Sequence, residues 1–126
     1  MSGIGATAKE QDLDSGELAR ELIDAIAEKK GSEIVLLDVR SVSLLADYFI
    51  ICGADTERQL KAVLDDVLER GVESGHKALR VEGSPASGWV VADFASVIVH
   101  CLLPEQRDYY QLEELWSDAP LVVRVQ

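Results

Sequence analysis

The side chains most often used for nucleophilic or metal-assisted chemistry are few in this sequence, and they form no recognised pattern. Its two histidines, His76 and His100, lie in different settings. His100 stands between Val99 and Cys101 in an apolar run, which favours an interior histidine over a catalytic base. No serine lies in a Gly-x-Ser-x-Gly pattern, and the histidines and cysteines lack zinc-site spacing. The sequence therefore predicts no catalytic residues of this kind and no metal site.

Nucleotidyl transfer is the enzymatic alternative, because a small sheet with helices could carry it. That chemistry uses a Gly-Ser turn followed by an Asp-x-Asp strand, whose two carboxylates project from one side and hold the metal ions. Here Gly83-Ser84 is followed by a single strand carboxylate, Asp93, with Val91 and Ala95 two residues away on either side. One carboxylate cannot hold two metal ions, so we expect no enzyme and no cofactor. A cryptic transferase stays as the less favoured alternative.

Aromatic and acidic residues stand together at strand ends without a catalytic pattern to explain them. Asp47-Tyr48 begins one predicted strand, while Trp89 begins another that Asp93 ends. Trp89 and Asp93 are an even number of residues apart, so their side chains project to the same face of the sheet. An aromatic beside a carboxylate suits a contact surface for a basic protein. The alternative for Trp89 is a cap on the core, and for Tyr109 and Trp116 packing of the last helix is favoured.

The charge of the chain bears on the kind of partner. Twenty-three acidic residues oppose twelve basic ones, which gives a net charge of −11. Phosphate backbones and anionic membranes repel such a chain, so direct nucleic-acid binding is disfavoured and a basic protein partner is favoured. The alternative is that the acidity serves only solubility.

Apolar side chains at helical spacing predict two long helices. The first runs from Asp14 to Lys30, with Glu17 completing a capping box and Gly31 providing a left-handed stop. The second opens at Thr56, with Gln59 as its box partner. A short third helix starts at Pro104.

Apolar or alternating runs predict the strands, with a further extended edge at Leu121 to Val125. These are Ile34 to Val39, Tyr48 to Cys52, Ala78 to Glu82, Trp89 to Ala92 and Val97 to Leu103. The last two are joined by a short turn and form an antiparallel hairpin. Cys52 and Cys101 lie inside apolar runs, which predicts buried free thiols.

The order of elements indicates one domain of the α/β or α+β class, with a mixed sheet of about five strands flanked by helices. Residues 14–126 form this domain, and the aperiodic residues 1–13 are predicted to be a flexible tail. No apolar run approaches the roughly 20 residues needed to cross a bilayer, and the start of the chain does not resemble a secretory signal. We therefore expect a cytoplasmic protein with no membrane partner.

Two segments resemble the signatures of the ribosomal silencing factor family, also called Iojap-like proteins. The first is Asp47-Tyr48-Phe49-Ile50-Ile51-Cys52, followed by Arg58-Gln59. The second comprises Trp89-Val90-Val91-Ala92-Asp93-Phe94, Val97-Ile98-Val99-His100, Arg107, Tyr109-Tyr110, Leu112-Glu113 and Leu115-Trp116. The resemblance covers about Leu18 to Ala119. Two places depart from the family pattern, Gly53-Ala54-Asp55-Thr56 before the second helix and Ala95-Ser96 in the hairpin turn, where the family has Gly-Asp.

The resemblance implies a nucleotidyltransferase-like fold without catalysis and a specific function. The family binds a basic protein of the large ribosomal subunit, large-subunit protein fourteen, at the face that meets the small subunit. Such binding blocks subunit joining and represses translation when nutrients are short, and a homodimer is also implied. Large-subunit assembly at the same site is the alternative function. The partner-binding residues predicted here are Trp89, Asp93, Asp47, Tyr48 and Phe94.

Overall fold

A six-stranded mixed sheet with helices packed on it forms the domain. The structure, a computed structural model, describes residues 8–110 and 119–125. Its strands are β1 (Ser32–Asp38), β2 (Tyr48–Gly53), β3 (Arg80–Ser84), β4 (Trp89–Asp93), β5 (Val97–Leu102) and β6 (Leu121–Val125). Its helices are α1 (Ala8–Glu28), α2 (Glu57–Glu73) and α3 (Pro104–Tyr110), and a single 3-10 turn spans Pro85–Ser87.

The strands lie in the order β3-β4-β5-β2-β1-β6. Strands β2 and β5 run parallel, and every other neighbouring pair is antiparallel. The predicted fold class, a mixed sheet flanked by helices, and the β4–β5 hairpin are confirmed. The prediction of about five strands was one short, because Leu121–Val125 pairs with β1 as a full edge strand.

Helices α1 and α2 pack on one side of the sheet, which we call the helix face. From α1 the residues Leu18, Leu22 and Ile26 are buried there, and from α2 Leu60, Val63 and Val67. Alternate strand residues meet them, including Ile50, Val90, Ala92, Val99 and Cys101. Each large side chain buried in this way contributes about 1.5–3 kcal/mol, so this cluster supplies most of the driving force for folding.

The other side of the sheet, which we call the opposite face, carries a smaller apolar cluster. Its buried members are Val35, Leu37, Val39, Ala46, Phe49, Ile51, Leu102 and Ala119. Trp89 and Ile98 are only partly buried against it. Because β1 and β2 bury residues on both faces, their sequences are continuously apolar rather than alternating.

Helix α1 begins at Ala8, well before the predicted Asp14. Asp14 therefore lies inside the helix, and the predicted capping box is wrong. Ala8–Leu13, part of the predicted tail, is helical because its Ala, Lys, Glu and Gln residues have high helix propensity even without an apolar stripe. Residues 1–7 of that tail lie outside the described residues.

The C-terminal stop of α1 also differs from the prediction. Lys30, not Gly31, takes the left-handed conformation, with φ of 62°. The Gly31 amide donates to the Ile26 carbonyl at 2.9 Å, and the Lys30 amide donates to the Ala27 carbonyl at 2.9 Å. Gly31 is required for another reason, since a Cβ there would lie 2.4 Å from Cγ2 of Ile26.

Gln59 joins the start of α2 to the end of α1. Thr56 is the N-cap as predicted, and its hydroxyl accepts from the Gln59 amide at 3.1 Å. The Gln59 side chain accepts from the Asp55 amide at 2.7 Å and donates to the Lys30 carbonyl at 2.8 Å. One side chain therefore satisfies backbone groups of both helix ends and fixes their separation.

Cys52 and Cys101 are neighbours across the parallel strands β2 and β5. Both are free and buried, so their predicted placement in buried strands is confirmed. A hydrogen bond with Cys101 and burial together raise the pKa of the Cys52 thiol well above its ordinary value. A thiol held in its neutral form reacts slowly.

The β4–β5 turn connects the hairpin to the start of β2. Ala95 adopts φ of 71°, and its amide donates to the Asp93 carboxylate at 2.8 Å. The Ser96 carbonyl accepts from the amides of Asp47 at 2.8 Å and Tyr48 at 3.1 Å. The turn thus sets the register at which β2 begins.

Replacing Ala95 with glycine is expected to stabilise the domain by about 0.5–1 kcal/mol. A left-handed alanine is strained by roughly 1–2 kcal/mol, and the added freedom of glycine in the unfolded chain offsets part of that gain. Urea unfolding followed by circular dichroism measures the change. Ala86→Gly, at a residue without positive φ, is the matched control and should destabilise. An Ala95→Gly protein no more stable than the unmodified chain would show that the turn is not strained.

Candidate functional site

Strand β4 places Trp89, Val91 and Asp93 on the opposite face. Their neighbours Val90 and Ala92 are buried on the helix face, so the strand alternates along its length. The inference that Trp89 and Asp93 share a face is therefore confirmed. Gly83 on β3, with φ of 79°, lets the two strands approach there, because a Cβ would lie 2.1 Å from the Trp89 carbonyl oxygen.

These side chains line a groove of about 710 Å³, which we call the β4 groove. Its lining is mainly apolar and aromatic, with two carboxylates among the polar residues. The residues are Phe49, Glu82, Gly83, Ser87, Trp89, Val91, Asp93, Ile98, His100 and Gln106. Concave apolar surfaces with a few placed polar groups are typical of binding sites.

Trp89 and His100 form the floor of the β4 groove. The indole Nε1–H of Trp89 donates to Nδ1 of His100 at 3.3 Å, and the Phe49 ring meets the imidazole edge-on with centroids 5.5 Å apart. Burial lowers the pKa of His100 to about 4. The imidazole is therefore neutral at physiological pH and can accept the indole hydrogen bond, which fixes the Trp89 ring.

Asp93 stands at the rim of the groove with both carboxylate oxygens engaged. One accepts from the Ala95 amide, and the other lies 3.2 Å from Nε of Arg80 on β3. Glu82, two residues further along β3, also lines the groove and is exposed. Two acids and one exposed arginine give this rim a net negative charge, which suits a cationic contact.

Asp47 and Tyr48, predicted to lie near Trp89 and Asp93, are placed elsewhere. Tyr48 packs against the helix face, with Arg40 over its ring at 5.5 Å. The Asp47 carboxylate accepts from the Ser15 hydroxyl at 2.9 Å. The prediction of one shared surface is wrong, because β2 is buried on both faces and Tyr48 takes the helix side.

Phe94 is also not at the groove. It is buried in the helix-face core, where its ring packs against Gly71 of α2. As the residue after Asp93 it alternates to the other side of the sheet, so it supports the site from behind and cannot touch a partner in the groove. The structure therefore does not bring Phe94 together with Trp89 and Asp93, and its role in partner binding stays a prediction.

Sequence reasoning missed Phe49, Ile98 and His100 as members of the groove. Each lies in a run of apolar residues, which indicates burial without indicating which face. The available signal was register, because Val91 pairs with His100 and Asp93 with Ile98 across the hairpin. Of the other residues named from sequence, Tyr109 lies in α3 without a described side chain, and Trp116 lies outside the described residues.

No arrangement in the described part of the chain resembles a catalytic centre. Among residues 8–110 and 119–125, no three His, Cys, Asp or Glu side chains are grouped to hold a metal ion. Asp93 is committed to a turn amide and an arginine, and the residue beside it on the same face is Val91. None of the described helices is long and apolar enough to cross a membrane.

Comparison with known proteins identifies the family of the chain. The family described as ribosomal silencing factor during starvation matches residues 12–126, nearly the whole chain. The chain belongs to the ribosomal silencing factor family. A ribosomal silencing factor from Halalkalibacterium halodurans is 36% identical over 110 residues, covering 87% of this chain and 94% of that protein. One from Bacillus subtilis is 37% identical over 97 residues, covering 77% and 82%.

The fold of this silencing-factor domain recurs in solved structures. A crystal structure of a protein from Chromobacterium violaceum superposes with a TM-score of 0.78 at 34% identity, covering 81% of this chain and 85% of that one. A more distant relative is the mouse protein named mitochondrial assembly of ribosomal large subunit protein 1. It is 27% identical over 99 residues, and the match spans 43% of its length.

The depressed pKa of His100 predicts how stability depends on pH. Between about pH 6.5 and 4 the His100 imidazole is protonated in the unfolded chain but stays neutral in the folded chain. The free energy of unfolding therefore falls as the pH falls. This effect amounts to about 2–3 kcal/mol between pH 7 and pH 4.5. A His100→Gln variant lacks it and should lose less stability over that range. Urea unfolding at pH 7 and pH 4.5 measures the stability of both proteins. If the variant and the unmodified chain lose the same stability between these pH values, the imidazole is not buried in its neutral form.

Proposed function

We propose that this silencing-factor family member docks on the large ribosomal subunit through the β4 groove and blocks joining with the small subunit. The observation that carries the proposal is the groove itself, an aromatic floor under two carboxylates on a chain of net charge −11. Such a surface favours basic protein and is repelled by ribosomal RNA. Family membership supplies the ribosome as the setting.

The partner we infer is a basic protein of the large subunit, large-subunit protein fourteen, at the face that meets the small subunit. Trp89 would anchor in an apolar patch, and Asp93 and Glu82 would meet lysines or arginines around it. A body of 13.8 kDa on that face would obstruct the small subunit sterically and so repress translation. We place this action under nutrient limitation, as the family description suggests. The cytoplasm is our proposal for where it occurs.

The family resemblance implies a homodimer. If both the monomer and the dimer bind the ribosome, the dimer contact must lie outside the β4 groove. Edge strand β6 offers such a surface, because Leu121, Val122 and Val125 are exposed there.

Assembly of the large subunit is the second candidate function, favoured by the name of the mouse relative. Both functions use the same docking surface but differ in the particle that is bound. An assembly factor would be found on immature large subunits and would leave before translation begins, whereas a silencing factor would bind mature ones.

The binding surface is tested by substitution at the groove. Truncating a central aromatic anchor costs about 2 kcal/mol or more, so Trp89→Ala should weaken binding about thirtyfold. Asp93→Lys should cost at least as much, because it sets like charges against each other. Cosedimentation with purified large subunits, after circular dichroism confirms folding, measures both.

Two further variants sharpen that test. Asp93→Asn removes the charge while keeping an acceptor for the Ala95 amide, which separates electrostatics from loss of the turn. Asp24→Asn, exposed on α1 and on the helix face, changes the net charge equally and should bind like the unmodified chain. Normal binding by folded Trp89→Ala and Asp93→Lys would place the interface on another face.

We also propose that the domain acts without nucleotide chemistry, since Asp93 lacks a carboxylate partner on its strand. Calorimetry with nucleoside triphosphates and magnesium should detect no binding. Micromolar affinity together with product formation that Asp93→Ala abolishes would establish a transferase instead.

A further inference from the structure

The ion pair between Arg80 and Asp93 lies at the rim where the partner is proposed to dock. Arg80 pairs with Asp93 across β3 and β4, so both side chains project to the opposite face. The Arg80 Nε lies 3.2 Å from the Asp93 carboxylate. The arginine side chain is 64% exposed and the aspartate 19%, so the carboxylate is held in place while the guanidinium reaches it from solvent.

Asp93 is positioned independently of this arginine. Its second oxygen accepts the Ala95 amide, and that bond belongs to the hairpin turn. Removing Arg80 would therefore leave the carboxylate where it is, with one oxygen free to accept a hydrogen bond. An exposed ion pair of this kind is weak, whereas a charge pair desolvated in an interface is stronger.

We propose that Arg80 is a specificity-determining residue that occupies the place of a partner's cationic side chain and is displaced when the partner binds. This inference rests on the proposed function and adds the chemistry of its central contact. The chain's own guanidinium shows that the groove rim accepts a lysine or arginine side chain with its stem beside β4. A partner that brings no cation leaves the internal pair intact and gains nothing at Asp93.

Arg80 thereby lowers the affinity of the groove for the correct partner, and it lowers the affinity for other basic proteins further. An unpaired carboxylate beside the partly buried Trp89 ring would attract any basic protein. A carboxylate covered by Arg80 attracts only partners whose cation can replace the guanidinium. Glu82 on the same strand keeps the rim negative when Arg80 swings away.

Arg80→Gln tests the proposal, because it removes the charge and keeps much of the stem. We expect binding to purified large subunits to tighten about two- to fivefold, the equivalent of a surface ion pair that no longer has to be broken. Arg20→Gln, exposed on α1 on the other side of the sheet, is the matched control. It makes the same change in net charge and should alter the affinity less.

A double-variant cycle isolates the pair. In an Asp93→Asn background the carboxylate is gone, so Arg80→Gln should no longer tighten binding. Unchanged or weaker binding by Arg80→Gln in the unmodified background, or equal tightening in both backgrounds, would overturn the proposal. Failure of the unmodified chain to bind large subunits at all would instead count against the proposed function.

Discussion

Burial of Val90 and Ala92 against α2 is the constraint on which the site depends. A strand alternates its side chains, so placing these two residues in the core forces Trp89, Val91 and Asp93 to the other side of the sheet. The helix-face core is the larger of the two apolar clusters and drives folding. A one-residue shift in the register of β4 would expose Val90 and Ala92 and turn Trp89 and Asp93 into the core. The groove therefore forms only when the strand pairs in its native register.

The neighbouring strands then give each side chain of the β4 groove a fixed position. His100 comes from β5 and stays neutral because it is buried, so it accepts the indole hydrogen bond. The turn after β4 holds Asp93 through a backbone amide, and β3 supplies Arg80. Rigid aromatics and a positioned carboxylate limit the entropy lost on binding, which is what a docking surface requires.

How much of this could be read from the sequence depends on whether residue spacing within one strand is enough. In β4 it is, because Trp89 and Asp93 are an even number of residues apart, and their shared face followed from that spacing. In β2 both faces are buried, so its continuous apolar sequence does not indicate that the Tyr48 side chain lies on the helix face. The pairing of Arg80 with Asp93 depends on register. The predicted third strand ended at Glu82, whereas the pairing continues to Ser84.

The helix caps were predictable only where the capping contact is local in the sequence. Thr56 was recognised as the N-cap that accepts from the Gln59 amide. The Gln59 side chain departs from the predicted capping box, because it accepts from the Asp55 amide and donates to the end of α1. The start of α1 at Ala8 rests on helix propensity alone, which leaves no apolar pattern to detect. Ala95 shows the limit of motif reading, since its positive φ depends on the turn conformation.

The most direct measurement is the joining of ribosomal subunits in the presence of the protein. Large subunits are incubated with increasing amounts of the chain, small subunits are added, and sedimentation gives the fraction that associates. The account predicts that association falls as the large subunits are occupied, reaching its limit near one copy per subunit, and that excess small subunits restore it. Intact ribosomes that form to the usual extent with the chain still bound to them would contradict the account.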